Sequence, residues 1–270
     1  MDAGLYNMHA LAAMHRESLL KENFNVKQTN RLAGVMIPLM MALLVGCKAA
    51  PAANVGFADP TLLKHDPTIP FDKFWRDPSV DWKTYDKIYV APVNTDYMLK
   101  TTAWQQGQPK AQIEADSRKL SDHAHDSIVK AFRDDPNHRF AVVDVAGHDP
   151  HTLVFEVALI EVVPSKVLLN ALGFAPFWVG TGITVVRSVA NDKSTAAFEA
   201  RVSDAATGKY VIYAADREAE QFAPLDVRGL TWYSDAEGIM DEWAKQFVEI
   251  ADRKPGQKIE VAPTFRLLPW

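Results

Sequence analysis

The chain has 270 residues, 48% hydrophobic and 23% charged, enough apolar side chain for one ordinary domain with attached segments or at most two small ones. Its net charge is −5, and removal of residues 1–46, which carry four basic and three acidic side chains, leaves −6. An acidic body lacks the basic face that nucleic-acid binding demands, and the single cysteine, Cys47, excludes a disulfide-stapled domain, a redox pair and a cysteine zinc cluster.

Residues 32–46 are fifteen uncharged residues, preceded by Lys27 and Arg31 and followed by Cys47 and Lys48. A spanning helix needs about 20 apolar residues, and Pro38 lies inside this run, so it reads as the hydrophobic region of a secretory signal. The run closes on Leu44, Val45, Gly46 and Cys47, which resembles the lipobox of bacterial lipoproteins. That resemblance implies cleavage before Cys47 and acylation of its thiol and freed amine. Each buried methylene contributes about 0.8 kcal/mol, so several chains hold a protein on its membrane where one does not. The segment before Arg31 is longer than such signals carry, and Met8 and Met14 are alternative starts. In the lipoprotein pattern an Asp after the cysteine retains the protein in the inner membrane. Lys48 stands there, which implies the inner leaflet of the outer membrane of a Gram-negative cell, facing the periplasm.

Residues 47–60, rich in Ala and Pro, read as a lipidated tether, and 61–85 as an irregular arm packing Phe71, Phe74, Trp75 and Trp82 on the domain. The globular domain runs over 86–253, with 254–270 as a tail. A strand is predicted at 87–93, ended by Pro92, then a polar loop through Trp104 to Gly107. Ile113, Leu120, Ala124, Ile128, Ala131 and Phe132 predict an amphipathic helix over 111–133. Strands follow at 140–144 and 152–163. Residues 195–204 alternate, predicting Phe198, Ala200 and Val202 inward and Glu199, Arg201 and Ser203 outward. Gly208 closes a hairpin loop into a return strand at 210–215. Ser234 and Glu237 form a capping-box pattern opening a last helix, whose buried stripe is Ile239, Trp243, Phe247 and Ile250. This order predicts an α/β (α+β) sandwich: a single mixed, mostly antiparallel sheet with helices packed on one face.

Three stretches resemble the bacterial lipoproteins grouped as the domain-of-unknown-function 3313 family: Trp82 to Val93, the Gly-rich middle Ala171 to Gly182, and a tail pattern. The tail comprises Phe198 to Gly208, Ala215 to Glu218, Leu230 to Tyr233 and Asp241 to Phe247. The resemblance covers about residues 60–253 and implies a lipoprotein and a fold, but no activity.

No Gly-x-Ser-x-Gly elbow or Ser-x-x-Lys is present, and the only thiol is assigned to lipid, so no catalytic residue is assigned. His123 and His125 are two apart, which on a helix aims them in different directions. His148, Asp149 and His151 read as a polar turn capping the next strand rather than a metal site. Gly180 and Gly182 lack the third glycine and following helix of a phosphate loop. Asp216, Arg217 and Glu218 read as an Arg–carboxylate clamp fixing the last helix. Residues 167–186 carry no charge over twenty positions. They read as a buried loop or as an apolar contact for membrane or partner through Phe174, Phe177 and Trp178.

The sequence thus predicts a membrane-anchored periplasmic lipoprotein with a non-catalytic binding or accessory role in the cell envelope. It needs no metal and no cofactor beyond the lipid on Cys47, and its partners are the membrane and another envelope protein, not nucleic acid. The alternatives are an envelope hydrolase with a metal-assisted site near His148, His151 and Asp216, or a membrane-inserting component acting through residues 167–186.

Overall fold

A computed structural model describes residues 50–105, 110–163, 194–219, 233–254 and 256–259. The lipobox from Leu44 to Cys47, the stretch 167–186 with Phe174, Phe177 and Trp178, and the tail beyond Ile259 lie outside the described residues.

Six strands form one sheet: β1 (Lys73–Arg76), β2 (Lys87–Val90), β3 (Ala141–Val142), β4 (Thr152–Val163), β5 (Thr195–Asp204) and β6 (Tyr210–Ala219), in the spatial order β1-β6-β5-β4-β2-β3. The β1–β6, β6–β5 and β5–β4 pairs are antiparallel; β4–β2 and β2–β3 are parallel. Parallel neighbours need a long crossover, and between β2 and β3 it is the helix Lys110–Arg133. Before it come two short helices, α1 (Asp96–Leu99) and α2 (Thr102–Gln105); the long helix is α3, and α4 spans Ser234–Ala251.

The helices close one face of the sheet. Leu120, Ala124, Ile128 and Phe132 recur every four residues along α3, while Ile239, Met240, Trp243 and Phe247 form the matching stripe of α4. Between them and the sheet stand Leu153, Phe155, Val157 and Leu159 of β4 and Phe198, Ala200 and Val202 of β5. A β-bulge between Leu159 and Glu161 resets the alternation, so Val162 returns to the helix face while Ile160 and Glu161 turn away. Gly208 takes a left-handed φ of 71° in the β5–β6 turn, a conformation that costs glycine little.

Several elements differ from the sequence expectation. The arm 61–85 contributes β1, an edge strand on β6, and Phe71 is fully within the core. Lys64 folds back to exchange two backbone hydrogen bonds with Phe74, which partly covers that edge. The expected polar loop at 104–107 begins in α2, where Trp104 is buried and its Nε1 donates to the Val162 carbonyl at 3.1 Å. The ladder of β3 is shorter than 140–144, whereas β6 runs four residues past Ala215. The helix α4 takes Tyr233 as its N-cap, without a side-chain cap hydrogen bond, so the capping-box pattern is one residue out of phase. Tyr233 is buried in the core, and that anchoring decides where the helix begins.

Candidate anchoring site

The second face of the sheet was expected to meet solvent. Instead the irregular segment 50–63 lies across it, bending at 56–58 and turning at 60–62. Phe57 packs with Ala158, Ile160 and Ala197, with Ala52 and Tyr97 at the margin, while Ala58 and Leu63 pack against Tyr213. A segment outside helix and sheet leaves its backbone donors without ladder partners, and burying them without acceptors is costly. Glu199 supplies the acceptors. Its carboxylate, 1% exposed, accepts from the backbone N–H groups of Val55 at 2.8 Å, Phe57 at 2.9 Å and Ala58 at 2.8 Å. Three converging amides form an anion-binding concavity, which is how this carboxylate is held without a facing guanidinium.

Two arginines flank it. Arg201 forks onto Glu156 with two 2.9 Å bonds, reaches the Phe57 carbonyl at 3.4 Å and lies 4.1 Å over the Phe57 ring. Its hydrogen bonds to Glu156 raise the Arg201 pKa above the usual value, so it stays cationic at any ordinary pH. Arg217 donates to Glu161 through Nε at 2.9 Å and Nη2 at 2.6 Å, and its Nη1 reaches the Ala50 carbonyl at 3.1 Å. The segment expected to be a free tether is therefore strapped to the sheet from Ala50 onward, by Arg217, Glu199 and Arg201 in turn.

This arrangement corrects two expectations. Glu199 and Arg201 do point away from the helices, but into the strap rather than into water. Asp216, Arg217 and Glu218 are not one clamp, because strand alternation sends Arg217 to the strap face. Asp216 meets the last helix: buried at 2% exposure, it accepts from Trp243 Nε1 at 3.0 Å and from the Asp72 backbone N–H at 2.9 Å. The periodicity of β5 is visible in the sequence, whereas a partner 141 to 144 residues away for Glu199 is not.

The histidines are dispersed. Asp149 is paired with Lys87 at 2.8 Å, a contact that with the His151 and Thr152 donors lowers its pKa to about 2, and His151 Nδ1 lies 2.7 Å from the Thr84 carbonyl. Asp216 aligns through Phe198 with Leu159, seven residues along β4 from Thr152, or about 23 Å at ~3.3 Å per residue. His148 and His151 are thus not brought together with Asp216, and among the described residues no three His, Cys, Asp or Glu side chains are grouped to hold a metal ion. His123 bonds Asp241 at 3.0 Å and so ties α3 to α4, while His125 pairs with the adjacent Asp126.

A family model described as a protein of unknown function (DUF3313) matches residues 56–247. The chain belongs to this family. The match begins inside the strap, at Gly56, and ends at Phe247 of α4, so it spans the sheet and both long helices. No curated protein matches the chain. Among solved structures, the PelC dodecamer from Paraburkholderia phytofirmans is similar at 13% identity, covering 64% of this chain and 95% of that one with a TM-score of 0.34. Lipoprotein GNA1162 from Neisseria meningitidis is similar at 13% identity, covering 62% of this chain and 99% of that one with a TM-score of 0.22. Neither likeness bears on what this DUF3313 chain does.

Proposed function

We propose that the mature chain is a lipoprotein of the bacterial cell envelope, acylated at Cys47 and carried on the periplasmic side of a membrane. There it binds or supports another envelope component without catalysing a reaction. The observation that carries this reading is the strap. Three peptide units separate Ala50 from Cys47, roughly 10 Å when fully extended. A lipid on Cys47 would hold the Arg217 end of the sheet close to the bilayer, rather than letting the body swing on a long linker.

That end of the sheet is also where the uncharged segment departs. The chain leaves the described body at Val163 and returns at Ser194; Val163 pairs with Thr195, and Thr195 with Ala219. Residues 167–186, with Phe174, Phe177 and Trp178, are thereby attached to the strand ends nearest the strap's start, which supports their assignment to membrane or partner contact. Lys48 favours the inner leaflet of the outer membrane.

The test is the intact mass of the protein recovered from a Gram-negative host, compared with Cys47→Ala. Loss of residues 1–46 with an acyl increment, both absent in the variant, is the expected outcome. A wild-type chain that keeps residues 1–46 without lipid overturns the reading. The accessory role is tested by crosslinking in envelopes: a defined protein partner lost in Phe177→Ser/Trp178→Ser at unchanged thermal stability is expected. Equal loss of stability would assign those rings to the core.

A further inference from the structure

On the helix side of the sheet, away from the strap, an apolar cavity of about 80 Å³ lies among Phe71, Phe74, Phe132, Phe155 and Phe247. Its lining is mostly phenylalanine and aliphatic residues, with Arg76, Arg139, Arg201 and Trp82 also contributing. Arg139 is pinned there, donating from Nη1 to the Tyr85 carbonyl at 2.7 Å and from Nη2 to the Trp82 carbonyl at 2.6 Å. Arg76, on the exposed end of the edge strand β1, lies 3.9 Å over the Trp82 ring, and among the described residues no carboxylate pairs with it. Asp252, the acid that feels the charge of Arg139, accepts from Asn137 at 2.7 Å.

Two guanidiniums at the mouth of an apolar void are an expensive arrangement on their own. Partial desolvation, followed by repulsion from Arg139 and Arg253, pulls the Arg76 pKa down to about 10, although the residue as a whole stays exposed. A void forfeits the dispersion contacts of its lining, and neighbouring cations repel. An anion bearing a short apolar group relieves both, since a guanidinium fork matches a carboxylate and the phenylalanines take the carbon. Size limits the carbon: an apolar cavity of about 150 Å³ accepts benzene, and this one is roughly half as large.

We propose that this cavity binds a small anionic amphiphile, a short-chain carboxylate whose head sits on Arg76 beside Arg139 and whose alkyl part enters among the phenylalanines. The site is independent of the lipid anchor, and its test does not require one. Butanoate, titrated calorimetrically into the purified full chain, is expected to bind saturably at one site. Arg76→Gln should weaken it at least tenfold and Arg76→Lys less, with both variants keeping the wild-type thermal midpoint. Butanol, of equal length without charge, should bind at least tenfold more weakly than butanoate. Absence of saturable butanoate binding overturns the proposal. So does butanoate binding that Arg76→Gln leaves unchanged, or butanol binding as tight as butanoate.

Discussion

The two faces of this sheet are closed by different chemistry. On the helix side Phe198 has its ring centroid 4.7 Å from Trp243 and 5.2 Å from both Phe71 and Phe247, mostly edge to face. On the strap side the apolar contact is thinner, and a buried carboxylate with two Arg–Glu forks carries much of the attachment. A helix satisfies its own backbone, so an apolar stripe is enough to dock it. An irregular strap arrives with unpaired N–H groups, and the face beneath it must supply acceptors.

The largest effect expected from breaking this contrast is on the helix side. Phe198→Ala should cost about 3–5 kcal/mol and unfold the domain as a whole, read by chemical denaturation. Glu199→Ala strands three amides that its carboxylate now serves and should cost about 3 kcal/mol. Its distinguishing sign is local: limited proteolysis should cut within residues 50–58 before the core melts. Uniform loss without early cleavage there would mean that strap and core unfold together. Arg217→Ala should cost about 1–2 kcal/mol, and hydrogen exchange should rise first near Ala50 and Glu161.

The smallest effect concerns the α3–α4 contact. The hydrogen bond to Asp241 raises the His123 pKa, against some opposing burial. A histidine whose folded pKa is raised contributes stability that is fully present below about 6.5 and is lost as pH rises through the folded value. The pair is partly exposed, so screening leaves roughly 0.5 kcal/mol. His123→Ala should therefore lower thermal stability at pH 5.5 and matter less at pH 8, a difference absent if the pair contributes nothing.

The two long helices and the three long strands were legible because their signals are local. The stripe Leu120, Ala124, Ile128, Phe132 and the alternation through Phe198 to Val202 are each contained in a single element. Even the Gly208 turn is announced by its own residue. The strap was not legible, for its sequence of small residues and prolines is what a free linker also carries. Nor did β1 announce itself, since four residues with mixed burial show no period of their own and become a strand only by pairing with β6.

The same division holds for the charged residues. Sequence alone determined that Glu199 and Arg201 share one side of the sheet, because side chains alternate along a strand; Arg217 joins them only through the β5–β6 register. Whether that side meets water is decided by whatever else packs there, and here the answer comes from residues more than 140 positions away. Backbone amides look alike in every sequence. Only the tertiary structure brings three of them to one carboxylate, and so turns an apparent surface glutamate into the fastening of the strap.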